Sequence, residues 1–354
     1  MAARPDFTVP TDPAVVLERL PAGYASLMPS GAPHSDLMAE AEKLLSAAGA
    51  TGDARLATRA ETLLAARSPG EPTDRVLRAR AFAAQHRHAF TEAVGILDKL
   101  IARSPRDGDA RLSRAQIETL RGHLKRARSD CAVLALGVDT GRGLLCVAAL
   151  ALRQGEFSSA ANVLERWLAQ APAADPSRRY ALVMRGEIAS RARVEDADRW
   201  FDTALRLAPQ DVRTLAAYAR HLRSQGRHEE IISMLVGAPE HDGLALQRAL
   251  AAQALQLPSR QALLAAQARR YALARRLGTT PELRDEAELM LATGIDPRRA
   301  LSLAEQNFRS QRDFEDVDIL RRAAKAARDQ AALNGLNQWL REHALAADSQ
   351  SRTQ

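Results

Sequence analysis

Few residues of this 354-residue chain have the types and spacings that chemistry requires. His86 and His88 flank Arg87 in a loop between two helices. That spacing is not the i, i+4 pair that puts two imidazoles on one helix face for zinc, and no Glu stands at the companion offset, so both are expected to be solvated. His228-Glu229-Glu230 opens like a zinc-protease helix, but Ile232 stands where the second histidine would be. The chain has no Gly-rich phosphate loop, no Gly-x-Ser-x-Gly elbow and no Cys-x-x-Cys pair. Carboxylate pairs such as Glu195 with Asp196 sit among arginines and read as solvated ion pairs on helix surfaces. Trp167 and Trp339 fall on apolar stripes and read as core rather than as stacking platforms, while Trp200, beside Phe201, reads as partly exposed. No catalytic residue, metal or cofactor is expected, and the chain does not read as an enzyme.

The elements that would hold any site are helices. Apolar residues make up 46% of the chain and charged residues 26%, enough for a packed core and far from a disordered composition. Only 4% is aromatic, and Ala, Leu, Arg and Glu dominate, so propensity favours helix nearly everywhere after residue 35. The formal charge of +7 suits a polyanion or an acidic partner. However, only Lys43, Lys99, Lys125 and Lys325 are lysines, and such an Arg excess also follows from a GC-rich genome, so charge alone assigns no function. The longest apolar run, from Gly143 to Leu152, is too short to cross a bilayer.

Ser104-Pro105, Ala171-Pro172 and Ala208-Pro209 each close an amphipathic stretch. Aligning on them gives five units that start at Asp74, Gly108, Gly141, Arg178 and Val212, a period near 34 residues. Small residues recur where two antiparallel helices must approach: Ala81 with Ala93, Ala115 with Ala127, Ala148 with Ala160. Gly122, Gly155 and Gly226 fall between the two helices of their units, where a positive φ ends the first helix. Each unit carries two apolar stripes, and one helix pair cannot bury both, so the pairs must stack.

This pattern resembles the tetratricopeptide repeat family, most fully in the unit from Gly141, with Ala148, Gly155, Ala160, Leu164 and Pro172. The unit from Arg178 departs from it by placing Arg185 at the small site, which leaves its inter-helix turn unassigned, and the unit from Val212 has Ile231 in place of an Ala. The resemblance implies an all-α, right-handed α-solenoid of antiparallel helix pairs. The expected organisation is an extended or disordered segment over 1–33, a degenerate helix pair over 34–73, five units over 74–240, degenerate pairs over 241–345 and a disordered tail over 346–354. Within the first segment, Val15 to Leu20 is expected to dock on the array.

In that family the concave wall is made by first helices, and one stripe of them contacts ligand. Here the corresponding stripe carries Arg75, Arg78, Arg142, Arg153, Arg179, Arg213, Arg220 and Arg223 over an apolar floor of Leu112, Leu145 and Leu182. The resemblance therefore implies a protein-binding scaffold whose groove takes an acidic, extended segment, because guanidinium forks pair with carboxylates. The rival is an RNA-binding helical repeat, which reads bases through polar side chains at fixed unit positions. The only asparagines, Asn162, Asn307, Asn334 and Asn337, lie off the stripe. Cys131 and Cys146 fall on neighbouring helices of successive units, as either a disulfide or two buried thiols. The chain also resembles uncharacterised exported proteobacterial tetratricopeptide proteins, which implies a periplasmic location if a signal peptide has been removed and a cytoplasmic one otherwise.

Overall fold

A computed structural model describes residues 36–51, 53–66, 72–276 and 282–343. The expected N-terminal segment 1–33, with its docking turn, and the tail 346–354 lie outside them. The described residues form helices without a strand. In chain order they are α1 (Leu37–Thr51), α2 (Ala54–Ala66), α3 (Asp74–His86), α4 (Phe90–Arg103), α5 (Gly108–Leu120), α6 (Leu124–Val133), α7 (Thr140–Arg153), α8 (Phe157–Gln170) and α9 (Arg178–Ala192). There follow α10 (Ala197–Leu207), α11 (Val212–Ser224), α12 (His228–Met234), α13 (Asp242–Ala254), α14 (Arg260–Arg276), α15 (Leu283–Thr293), α16 (Pro297–Ser310), α17 (Phe314–Ala327) and α18 (Gln330–Glu342). Asp107, Asp139 and Asp211 cap the first helices that follow them, each accepting from a backbone N–H of the first turn.

Consecutive helices pack as antiparallel pairs, and successive pairs stack into an all-α solenoid. Odd-numbered helices also touch one another along the array, α5 with α7, α7 with α9, α9 with α11, α11 with α13, whereas successive even-numbered helices show no comparable contact. The odd helices therefore form the tighter, inner wall. The paired alanines are buried where each pair closes: Ala81 and Ala93 share one core cluster, Ala115 and Ala127 another, Ala148 and Ala160 a third.

In the unit from Arg178 the small residue is Gly186, not Arg185. A Cβ placed there would come within 2.8–2.9 Å of three ring carbons of Phe201. Arg185 instead stacks on Trp200 of α10 at 4.9 Å and reaches Glu165 of α8 at 2.6 Å. The turn that the sequence leaves unassigned is made by Arg193, in the left-handed region at φ 57°.

His88 takes the same turn position as Gly122, Gly155 and Gly226, also with positive φ. It is not a solvated loop residue. Its Nε2 lies 2.9 Å from Glu282 and its Nδ1 lies 2.7 Å from the Gln311 amide. Burial opposes the charged imidazole, but the Glu282 carboxylate outweighs it and raises the His88 pKa. His86, within α3, is pushed down to about 4 by burial, with Arg213 adding to the effect. Trp339 is half-buried against Phe308 rather than fully in the core.

These contacts of His88 belong to a closure of the solenoid on itself. The Arg312 N–H donates to the Leu120 carbonyl at 2.7 Å. Arg191 pairs with Glu315, 124 residues away, at 2.6 Å. Arg213 donates to the Gly49 carbonyl, 164 residues away, at 2.9 Å. Helices α15–α18 thus return to the inner wall of the central units.

Cys131 on α6 and Cys146 on α7 are disulfide-bonded, with S–S 2.02 Å and Cα–Cα 5.4 Å. Denatured, unreduced protein should accordingly show no titratable thiol, and reduction should lower stability by about 3 kcal/mol, the chain-entropy value for a loop of this length. Two free thiols would remove the cross-link.

Candidate functional site

The eight arginines assigned to the groove lie on odd-numbered helices, the inner wall, and each has an oxygen of its own chain within 4.0 Å. Arg75 reaches back to Glu42 on α1 at 2.7 Å, Arg142 reaches back to Asp109 on α5 at 2.5 Å, and Arg78 and Arg179 pair with the capping residues Asp107 and Asp211. These four bridge neighbouring odd helices. Arg75 nevertheless stays 58% exposed. Arg213 crosses to the Gly49 carbonyl. Arg153, Arg220 and Arg223 face the returning C-terminal helices: Arg153 lies 4.0 Å from Asp313, Arg220 lies 3.8 Å from Glu187 and from Glu315, and Arg223 lies 2.9 Å from Glu288.

The floor is divided. Leu145 and Leu182 are buried in one core cluster, and Phe314 of α17 packs against that cluster. Leu112 is partly buried and packs in the neighbouring cluster around Cys131 and Cys146.

Between α9, α11 and the returning helices lies a cavity of about 780 Å³. Its walls carry both cations (Arg191, Arg220, Arg284) and carboxylates (Glu187, Asp285, Glu315). Burial alone would raise the Glu315 carboxyl, but Arg191, Arg220 and Arg284 hold it well below the usual carboxylate range. Glu187, on the same cavity, is pushed up to about 7 by burial and then by the Glu315 charge. Asp316, just behind, is raised to about 6 by burial in spite of Arg284. Charge is thus sorted inside one cavity, with Glu315 anionic and Glu187 near its midpoint at neutral pH.

Sequence reasoning missed Arg191, Arg284, Phe314 and Glu315. The available signal was the run Asp313-Phe-Glu-Asp316, an aromatic among three carboxylates in an Arg-rich stretch. Its first and last residues form a reciprocal cap at the start of α17.

A second arrangement in the cavity has the composition of a hydrolytic triad. His221 Nδ1 lies 2.8 Å from Ser190 Oγ, and its Nε2 lies 3.1 Å from Asp198. In spite of the Asp198 carboxylate, burial lowers the His221 pKa and favours the neutral imidazole. Ser190, however, sits in the last turn of α9, where a developing oxyanion would meet the negative end of the helix dipole. The ring of His221 also stacks on Tyr218 and tilts against Phe201, as a packed core residue does. The arrangement joins α9, α10 and α11.

Among the described residues no group of three or more His, Cys, Asp or Glu side chains is placed to hold a metal, and no helix is long and apolar enough to cross a membrane. No protein-family model matches the chain, and no curated protein matches it. Among solved structures it is similar to a tetratricopeptide repeat protein from Parabacteroides merdae ATCC 43184, at 16% sequence identity and a TM-score of 0.42, over 71% of this chain and 98% of that one.

Proposed function

We propose that this chain is a non-catalytic protein-interaction scaffold whose inner wall takes an acidic segment of a partner protein. One observation carries this reading: the guanidinium groups of the wall select carboxylates, whether on a neighbouring helix, as Glu42 and Asp109, or on a distant one, as Glu288 and Glu315. Charge-assisted pairs of this kind are short, directional and specific for planar acids. The stacked odd helices from α5 to α13 set their donors side by side, an arrangement that suits an extended segment. The Cys131–Cys146 bond supports a periplasmic location, since cytosolic reductants oppose such bonds.

The test is affinity capture from the native host with the wild-type chain and with an Arg142→Gln, Arg179→Gln, Arg213→Gln variant, read by mass spectrometry. Glutamine removes the charge without setting a new anion against Asp109 or Asp211. A protein partner recovered by the wild type should be weakened at least about tenfold in the variant, and its capture should fall as salt rises through the Debye regime. Equal recovery by both chains, or recovery of RNA in place of protein, would sink the proposal.

A further inference from the structure

The inner wall already holds one segment of acidic chain. Phe314 lies between two guanidinium groups, 5.0 Å from Arg153 and 4.3 Å from Arg191, and packs on the core that contains Leu145 and Leu182. The next residue, Glu315, takes Arg191 at 2.6 Å and Arg220 at 3.8 Å. An aromatic ring followed directly by a carboxylate therefore fills the floor and engages the arginines of the same wall.

The seat is larger and better equipped than this occupant uses. Arg153 is only 4% exposed, yet its Nε and Nη2 have no hydrogen-bond acceptor, and the nearest carboxylate oxygen, on Asp313, is 4.0 Å away. The guanidinium faces the Phe314 ring and the Asp313 carboxylate of the same turn, and neither takes those two donors in a hydrogen bond. The cavity of about 780 Å³ opens beside Phe314 and Glu315, with Arg191, Arg220 and Arg223 on its walls. Helices α15–α18 also have a core of their own around Leu301, Leu320 and Leu336. The turn can thus be altered without emptying the packing that holds these helices together.

We infer that the turn Asp313–Asp316 is a built-in occupant of the groove, and that the partner's segment has the same chemistry, an aromatic residue next to carboxylates, and competes with it. The inference rests on the scaffold reading and narrows its ligand from any acidic segment to an acidic-aromatic one. Occupation from within lowers affinity for the outside segment by the fraction of molecules whose groove is closed.

The experiment uses a fluorescent peptide copying residues 311–318, the same peptide with Ala in place of the phenylalanine, and the full chain, read by anisotropy. Phe314→Ala, Glu315→Gln protein should bind the first peptide about tenfold more tightly than wild type and the Ala peptide no better than wild type does. Adding Arg191→Gln and Arg220→Gln should abolish the gain. Glu315→Gln alone, nearly isosteric, should shift affinity in the same direction, and it serves if the double variant melts early. Equal binding by wild type and variants that is lost on removing Arg191 and Arg220 overturns the internal occupant and leaves the scaffold standing. No binding of either peptide by folded variants overturns the acidic-aromatic ligand, and the capture experiment above then decides the scaffold separately.

Discussion

Gly186→Leu should lower the stability of the central units by at least about 3 kcal/mol, with α9 and α10 unable to close. Any side chain at this position starts inside the Phe201 ring, since a Cβ alone would lie 2.8 Å from its Cζ. Phe201 has no room to yield. It is 0% exposed, stacked on Tyr218 with ring centroids 5.1 Å apart, and walled by His221 on the other side. Gly186→Ala sets two effects against each other, a helix-propensity gain of about 1 kcal/mol and the clash, and the clash wins because the close atoms belong to a rigid ring. Pairing it with Phe201→Leu should restore part of the loss, since the shortened side chain vacates the space that the methyl needs. Urea melts followed by circular dichroism would decide the matter. A Gly186→Leu protein within about 0.5 kcal/mol of wild type would show that the pair does not close as described. The same helix carries Arg179, Leu182, Glu187 and Arg191, so loss of its packing should also remove the proposed binding of an acidic segment.

Gly186 also marks how far the sequence could be followed. The period near 34 residues, the alanine pairs and the turn glycines are local consequences of bringing two helices together, and they repeat, so they are legible. In the unit from Arg178 the first helix runs on to Ala192, and the turn falls on Arg193 instead of a glycine. A fixed template therefore lands on Arg185, one residue early. His88 misled for a different reason. It stands where a glycine would and reads as a loop residue, but the partners that bury it, Glu282 and Gln311, come from the far end of the chain. Closure of a solenoid is the accumulated effect of many small rotations between pairs, and no single unit's residues record it. The same holds for the groove. The stripe of arginines on the inner wall could be read from unit positions, but that Phe314 and Glu315 return to fill part of it could not. The buried carboxylates escaped notice because an Asp among arginines has the same local pattern on a solvated face as in a core.

Asp130 is such a carboxylate, and Asp130→Ala should cost about 3–5 kcal/mol. It is 0% exposed on α6 and accepts from Arg111 at 2.8 Å and from Arg114 through both Nε and Nη2 at 2.7 Å. Arg114 also donates to Asp98 on α4 at 2.7 Å, so one guanidinium ties α4, α5 and α6 together. The side chains of Arg111 and Arg114 are each only 13% exposed. Removing the anion leaves two poorly solvated cations side by side, and neither can shed its charge. An arginine keeps its proton at any pH the fold survives, and Arg114, made more basic in the wild type by Asp130 with Asp98 adding to the effect, retains only Asp98 in the variant. This cost is the penalty of stranding the arginines and does not measure what the intact network contributes. Making an ion pair from solvated charges gains little net energy, because desolvation offsets attraction. Removing all three charges at once, with Asp130→Leu, Arg111→Met and Arg114→Met, should therefore recover most of the stability lost in Asp130→Ala. The measurement is urea denaturation of the single and triple variants with the neighbouring Cys131–Cys146 bond intact, since its loss would add an unrelated term. If the triple variant is as unstable as the single one, the network is itself a large net source of stability, and the arginines hold these helices together as well as fixing their register.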